Sequence, residues 1–204
     1  MTGSIEEQDL KDRLSLIENM IAEGRRTTES WGWSFVFWGA AYYVAIGWSA
    51  WDNSGVAWPV TMIAATVLFV VLVVRKKRRH AVTTLGRSMS AIWIALGISM
   101  FLLFMSLGIS GRLEDPRVFI SVAAAMLGLA NAASSIILKW KLQFACAVVW
   151  WSASVASCFS STNGSTAEFL TAIFFCQIVF GLYGALSEGR KRRPRNSEEG
   201  AAHA

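Results

Sequence analysis

Stretches of about 20 apolar residues without charge recur along the chain and dominate its pattern. A helix needs about 20 such residues to cross the hydrocarbon core of a bilayer. Lipid cannot satisfy backbone N–H and C=O groups, and the stretches lack the polar alternation of barrel strands, so helices are predicted. The pattern predicts six spanning helices at residues 32–51, 56–74, 89–110, 117–138, 142–160 and 168–187. Four or five spans are the alternative, because only residues 139–141 separate the fourth span from the serine-rich fifth.

The composition of the chain agrees with this pattern. Of the 204 residues, 54% are hydrophobic and 16% are charged, whereas soluble domains average about 25% charged residues. The sequence therefore predicts an all-α, polytopic integral membrane protein. We expect a cytoplasmic N-terminal segment (1–29), a six-span transmembrane domain (30–188) and a basic, disordered cytoplasmic tail (189–204).

Lys and Arg are distributed unequally between the connections. Seventeen of the 19 basic residues fall in the two terminal segments and in the connections after the second and fourth spans, whereas Arg112 and Arg117 lie in the third connection. Because cytoplasmic loops carry the excess of Lys and Arg, both termini are predicted to be cytoplasmic, in a plasma (inner) membrane. Each even span ends in a basic cluster, which favours three consecutive helical hairpins. Whether these are true internal repeats is left open.

The N-terminal segment is predicted to form an amphipathic helix over residues 4–24, with Ser4 as its N-cap. Its apolar residues follow heptad spacing in one narrow stripe: Leu10, Leu14, Ile17 and Ile21. The polar face is mostly acidic, which does not suit an anionic lipid surface. The stripe is therefore a candidate protein-binding site, for the chain's own cytoplasmic loops, a second copy or a different partner.

Two strongly polar side chains are predicted inside the spans, Asn131 in the fourth and Gln177 in the sixth. Amides in hydrocarbon need hydrogen-bond partners, so bonds between helices are the first interpretation, and the lining of a small uncharged pocket is the alternative. Small residues recur every four positions in the third and fourth spans, for example Ala91, Ala95 and Ser99. This recurrence predicts that these two spans form the central helix pair.

The sequence shows no arrangement typical of a catalytic or metal site. Its ionisable residues lie at the ends of the spans or between them, and His80 and His203 lack metal-ligand spacing. Cys146, Cys158 and Cys176 lie within apolar stretches and are interpreted as small packing residues. We therefore expect no enzyme activity and no cofactor.

The strongest basic cluster follows the second span: Arg75, Lys76, Lys77, Arg78 and Arg79. Its role as a topology signal suffices to explain it, and binding of an anionic lipid or an acidic partner is the alternative. The basic runs lack interleaved aromatic residues, so no nucleic-acid binding is expected.

Two functions are compatible with this pattern. The heptad stripe and the missing catalytic residues favour a non-catalytic membrane interaction, regulatory or accessory protein that acts through its N-terminal helix and its basic loops. The alternative is a minimal transporter or channel for a small neutral or apolar solute, built as a homo-oligomer. The expected partners are the lipid bilayer and either another protein or a second copy.

Overall fold

The computed structural model describes the backbone of residues 2–30, 32–52, 56–76, 84–111 and 115–187. The elements within these ranges are helices: α1 (Thr2–Ser30), α2 (Gly32–Trp51), α3 (Ala57–Lys76), α4 (Thr84–Ile109), α5 (Pro116–Leu138), α6 (Lys141–Phe159) and α7 (Thr162–Ile173). The chain continues from α7 into a π-helical segment, Phe174–Val179, and remains helical to residue 187. The predicted all-α class is confirmed for these residues.

Five helices in the described part of the chain are long and apolar enough to cross a membrane: Ala57–Arg75, Gly86–Ile109, Pro116–Leu138, Lys141–Phe159 and Thr162–Ser187. They correspond to the second through sixth predicted spans. The first predicted span coincides with α2, which is uncharged but is not among the five. Six of the 20 residues of α2 are Trp or Tyr, whose amphipathic rings lower its hydropathy.

Two helices begin earlier than predicted. α7 starts at Thr162 because the hydroxyl of Ser161 accepts a hydrogen bond from the N–H of Gly164 at 3.2 Å and caps the helix. The residues that follow Ser161 are uncharged but polar, and the sequence therefore predicted a turn there. α4 starts at Thr84, five residues before the predicted span. The charge of Arg87 limits the apolar stretch at its N-terminal side, but the helix continues through Arg87.

α1 is longer at both ends than the predicted helix over residues 4–24. It begins at Thr2, so Ser4 lies inside the helix rather than at its N-cap, and it runs on to Ser30. At 1.5 Å per residue, its 29 residues extend over about 43 Å.

α5 begins with a well-defined cap. Asp115 accepts a hydrogen bond from the backbone N–H of Arg117 at 2.9 Å, and Pro116 occupies the first turn, where a missing N–H is harmless. The Arg117 side chain also donates to Asp115, with Nη2 2.8 Å from Oδ2. These hydrogen bonds, the side-chain bond first, hold the pKa of Asp115 below its usual value.

The centre of the bundle is the contact between α5 and α6, the most extensive pairing of two helices. A Cβ atom at Gly128 would lie 2.4 Å from Cδ1 of Trp151, so the indole ring rests directly on the backbone of α5. Near the other end of this interface, the hydroxyl of Ser121 donates to the carbonyl of Ser154 at 2.9 Å. The hydroxyl of Ser154 donates in return to the carbonyl of Ser121 at 2.8 Å.

The prediction that the third and fourth spans form the central pair is wrong. α4 does contact α5, but the described residues from 90 to 109 include no buried one. Ala91, Ala95 and Ser99, which were expected to face α5, are exposed. The small-residue spacing was correct for α5, where Ala124, Gly128 and Ala132 are buried, but their neighbour is α6.

α2 packs on the last helix of the chain through two glycines. A Cβ atom at Gly32 would lie 2.6 Å from the carbonyl oxygen of Gly181, and one at Gly181 would lie 2.7 Å from that of Gly32. The two backbones therefore touch. Seven residues further along α2, Gly39 faces the π-helical segment, and a Cβ atom at Gly39 would lie 2.7 Å from Cδ1 of Ile178.

Aromatic rings connect the helices on either side of these contacts. Tyr42 of α2 stacks on Trp58 of α3, and Trp58 meets Phe119 of α5 edge to face at 4.8 Å between ring centroids. In a second group, Phe180 contacts Phe35 of α2 and Trp140 just before α6. Edge-to-face and offset pairs of this kind stabilise a fold beyond the apolar area they bury.

Candidate functional site

The predicted stripe on α1 is an exposed apolar surface. Leu10, Leu14 and Ile17 are 58%, 52% and 52% exposed, and Ile21 is half-buried. Every residue from 7 to 20 is exposed. α1 contacts α2, α4 and α5, but these contacts leave the stripe uncovered.

Charged residues flank the stripe and form ion pairs along the helix. Lys11 Nζ lies 2.7 Å from Glu7 Oε1, and Arg13 Nε lies 2.9 Å from Asp9 Oδ2. Both are i, i+4 pairs on the surface, which support an isolated helix by a few tenths of a kcal/mol each. These pairs add a small contribution to the stability of α1, and they leave its stripe exposed.

Asn131 and Gln177 are both buried, and the structure adds Gln143 and Ser134 as buried polar residues. Their exposed fractions lie between 0% and 5%. Asn131 donates from Nδ2 to the carbonyl of Leu127 at 2.9 Å within its own helix. Several other polar atoms of these four residues have no hydrogen-bond partner among the residues that the structure describes: Asn131 Oδ1, Ser134 Oγ, Gln143 Nε2 and Oε1, and Gln177 Oε1. We call these four residues the amide cluster.

The contacts around Gln143 and Gln177 place them at one level of the bundle. Along the chain, Gln143 of α6 lies between Trp140 and Cys146, and Gln177 of the π-helical segment lies between Cys176 and Phe180. Trp140 contacts Phe180 at 5.1 Å between centroids, and the Cys176 thiol donates to the Cys146 carbonyl at 3.6 Å. The two glutamines therefore share the depth bracketed by these contacts.

The α5 residues of the amide cluster lie at the same level of the bundle. Asn131 and Ser134 lie between Gly128, which contacts Trp151, and Ser135, whose carbonyl accepts from the N–H of Trp140 at 2.9 Å. Gln177 Oε1 also lies 3.4 Å from the Cβ position of Gly39 on α2. The amide cluster is thus enclosed by α2, α5, α6 and the π-helical segment.

Gln143 is the residue that sequence reasoning missed. It lies two positions after Lys141, at the edge of the predicted fifth span, where a polar side chain is expected to reach the interface. In the structure it is 0% exposed. The signal that could have found it is its position three residues before Cys146, on the face of α6 that also carries Trp150.

Gln177 lies in the π-helical segment Phe174–Val179. Such segments insert one extra residue into a helix and are frequent at functional sites. In this segment Cys176 and Gln177 are both buried, at 1% and 5% exposed, and the segment contacts α2 and α6.

A shallow groove runs between α6 and α7, with a volume of about 390 Å³. Its lining includes Ser152, Thr171 and the carboxylate of Glu168, which accepts a hydrogen bond from the hydroxyl of Ser160. Glu168 was expected beside a turn, but the early start of α7 places it inside the helix. None of the amide cluster lines this groove.

Part of the predicted basic cluster lies within the described residues. Arg75 is exposed near the end of α3, and Lys76 is the last residue of that helix. Lys77, Arg78 and Arg79 lie outside the described residues. The structure therefore leaves their predicted role in lipid or partner binding as a prediction.

Among the residues that the structure describes, there is no group of three or more His, Cys, Asp or Glu that could hold a metal ion. No protein-family model matches the chain, and neither curated proteins nor solved structures give a match. The function is therefore argued from the geometry of α1 and of the amide cluster.

Proposed function

We propose that this chain is a non-catalytic membrane interaction protein, an accessory or regulatory subunit, and that α1 is its binding element. The observation that carries the proposal is the exposed stripe of Leu10, Leu14 and Ile17 on a long helix. Apolar side chains aligned at heptad spacing bury their surface when a second helix packs on them. The basic connections, including Arg75, supply further binding surface for acidic groups.

In this proposal the chain spans the plasma (inner) membrane six times as three hairpins, with both termini in the cytoplasm. α2 is the first span. Its 20 uncharged residues and its glycine contacts with the last helix support a position inside the bundle. The excess of Lys and Arg in alternate connections supports the orientation.

The test uses two matched substitutions on α1. Leu14→Asp introduces a charge into the stripe, whereas Leu16→Asp introduces the same charge on the opposite face, where Leu16 is 61% exposed. Complexes are purified gently from native membranes through a C-terminal tag, and their mass and composition are compared. We expect Leu14→Asp to remove the bound protein or second copy and Leu16→Asp to retain it. If both variants keep the wild-type complex, α1 is not the binding element.

The amide cluster supports a second candidate function, passage or binding of a small neutral solute. Five unpaired polar atoms in a buried, uncharged site can hydrogen-bond a solute that carries both donors and acceptors. Proteoliposomes are assayed by light scattering with urea and with glycerol as probes. We expect wild-type flux above that of protein-free vesicles and its loss when Asn131 and Gln177 are both replaced by Leu. Unaltered flux in the double variant would remove the amide cluster from this function.

A further inference from the structure

The binding partner of α1 can be inferred from the arrangement of its charges around the stripe. We propose that α1 pairs with α1 of a second copy of this chain as a parallel, in-register, two-stranded coiled coil. This inference rests on the proposed function and specifies its partner.

The stripe has the form of a coiled-coil seam. In heptad notation Leu10 and Ile17 take position d, and Leu14 and Ile21 take position a. The four residues form consecutive layers over about 18 Å of helix. Glu7 takes the a position before the seam and Gly24 takes the d position after it, so the seam is bounded at both ends.

The residues that flank the seam have opposite charges where two parallel copies meet. In a parallel pair, a residue at g lies beside the e residue five positions later on the other helix. Arg13 takes g and Glu18 takes e, five positions apart. This pair is therefore attractive, and it forms twice because the dimer is symmetric. Arg13, Glu18 and Lys11 are exposed, and the ion pairs that Arg13 and Lys11 form lie within α1, with Asp9 and Glu7.

The membrane favours the parallel orientation. Two copies in one bilayer have the same orientation, so a two-fold axis along the membrane normal relates them. The two α1 helices then leave the bilayer side by side and point the same way. Four layers are few for a free coiled coil, but confinement of both copies to one membrane raises their effective concentration.

Disulfide cross-linking of the full-length chain in membranes tests this arrangement. Cys146, Cys158 and Cys176 are first replaced by Ala, and single cysteines are then introduced as Leu10→Cys at position d and Asp12→Cys at position f. In a parallel pair, Leu10 faces Leu10 of the other copy, whereas Asp12 points away from the seam. We expect about tenfold more dimer for Leu10→Cys than for Asp12→Cys after oxidation. Equal yields, or no dimer for Leu10→Cys, would overturn the proposal.

Charge reversal provides a second, independent readout in the Leu10→Cys background. Arg13→Glu places two acidic residues together and is expected to lower the dimer yield about fourfold. Adding Glu18→Arg to the same chain restores an opposite pair and is expected to restore the yield. A double variant that remains as low as Arg13→Glu alone would contradict the g–e pairing.

The outcomes also separate this inference from the proposed function. If Leu10→Cys gives no dimer while Leu14→Asp still removes a different protein from the purified complex, the partner is not a second copy and the proposed function stands. If Leu14→Asp removes nothing and Leu10→Cys gives no dimer, both proposals fail.

Discussion

At the scale of single residues, the bundle depends on places where a side chain is missing. Gly128 allows the Trp151 indole to lie against α5, and Gly32 and Gly181 allow two backbones to touch. Small residues at such positions let helices approach closely in lipid, where apolar burial gives no driving force between helices. The packing is therefore sensitive to the addition of one methyl group.

Gly128→Ala is expected to destabilise the bundle by about 1 to 3 kcal/mol, because its methyl group would overlap the indole of Trp151. The matched control is Gly97→Ala in α4, where no atom lies within 4 Å of the added Cβ. That variant is expected to be neutral or more stable by up to about 1 kcal/mol, because Ala favours a helix over Gly. Unfolding in detergent micelles measures both. Equal loss of stability in the two variants would contradict the packing of Trp151 on Gly128.

Asp115 gives an expected pH dependence. The Arg117 hydrogen bonds lower its pKa in the folded state, so the pair stabilises the fold above the ordinary Asp pKa of about 4. This stabilisation is lost as the pH falls through the folded-state pKa, where the carboxylate is protonated. Asp115→Asn keeps a cap acceptor but has no charge. We expect its melting temperature to lie below that of the wild type at pH 7 and to converge with it in acid; a difference independent of pH would contradict this.

Residue-scale prediction from the sequence was uneven. Burial of Asn131 and Gln177 followed from their depth in apolar stretches. Gln143 was missed because its closeness to Lys141 suggests the interface, although it lies on the same face of α6 as the buried Cys146 and Trp150. The unpaired amide atoms depend on side-chain directions across three helices, which no local pattern contains.

At the scale of elements, the boundaries of the helices were predictable wherever a charge-free stretch and the helix ended together. α2 and α5 agree with their predicted spans to within a residue. α7 and α4 begin before their predicted spans. Ser161 caps α7 ahead of its apolar part, and α4 continues through the charged Arg87. The pairing of helices was less predictable, since the small-residue stripe of α4 resembles that of α5 but is exposed.

The hydrogen bonds between Ser121 of α5 and Ser154 of α6 can be tested for their contribution to stability. Ser121→Ala removes the hydrogen bond to the Ser154 carbonyl together with the contacts of Ser121 Oγ to Ser154 Oγ and Cys158 Sγ, and Ser154→Ala removes the hydrogen bond to the Ser121 carbonyl. Each is expected to destabilise the bundle by about 0.6 kcal/mol, the average for such bonds in membranes, and the double variant by less than the sum, because the two hydroxyls also contact each other. Thr66→Ala is the control, because Thr66 donates within α3 to the carbonyl of Met62. Unfolding of the reconstituted protein measures these differences, and an equal effect of Thr66→Ala would contradict the interhelical role.

At the scale of the whole molecule, α5, α6 and the last helix are more buried than α3 and α4. In the most apolar 18-residue stretch of each helix, no residue of α4 and 11% of the residues of α3 are buried. The corresponding fractions are 56% in α5, 39% in α6 and 44% in the last helix. α2, the first apolar helix, packs on the last helix, so two helices that are far apart in sequence are in contact. The class and the candidate spans could be read from the sequence, but this arrangement follows from contacts between distant residues.

The packing of α2 leads to a prediction about the topology of the whole chain. If α2 crosses the membrane, α1 lies on the same side as the connection between α5 and α6; if α2 does not cross, the two lie on opposite sides. Gln8→Cys in α1 and Lys139→Cys in that connection report the two positions, with the native cysteines replaced by Ala. Both side chains are exposed.

A membrane-impermeant maleimide is applied to intact cells and then to permeabilised cells. We expect Gln8→Cys and Lys139→Cys to react after permeabilisation alone, and Ser110→Cys, an exposed position just after α4, to react in intact cells. This result requires an even number of crossings between residues 8 and 139, which α2, α3, α4 and α5 provide. Reaction of Gln8→Cys in intact cells together with protection of Lys139→Cys would place α1 outside and remove α2 from the spans. The docking of Gly32 on Gly181 would then have to form at the membrane surface, which the contact of α2 with the π-helical segment, in the middle of the candidate span Thr162–Ser187, argues against.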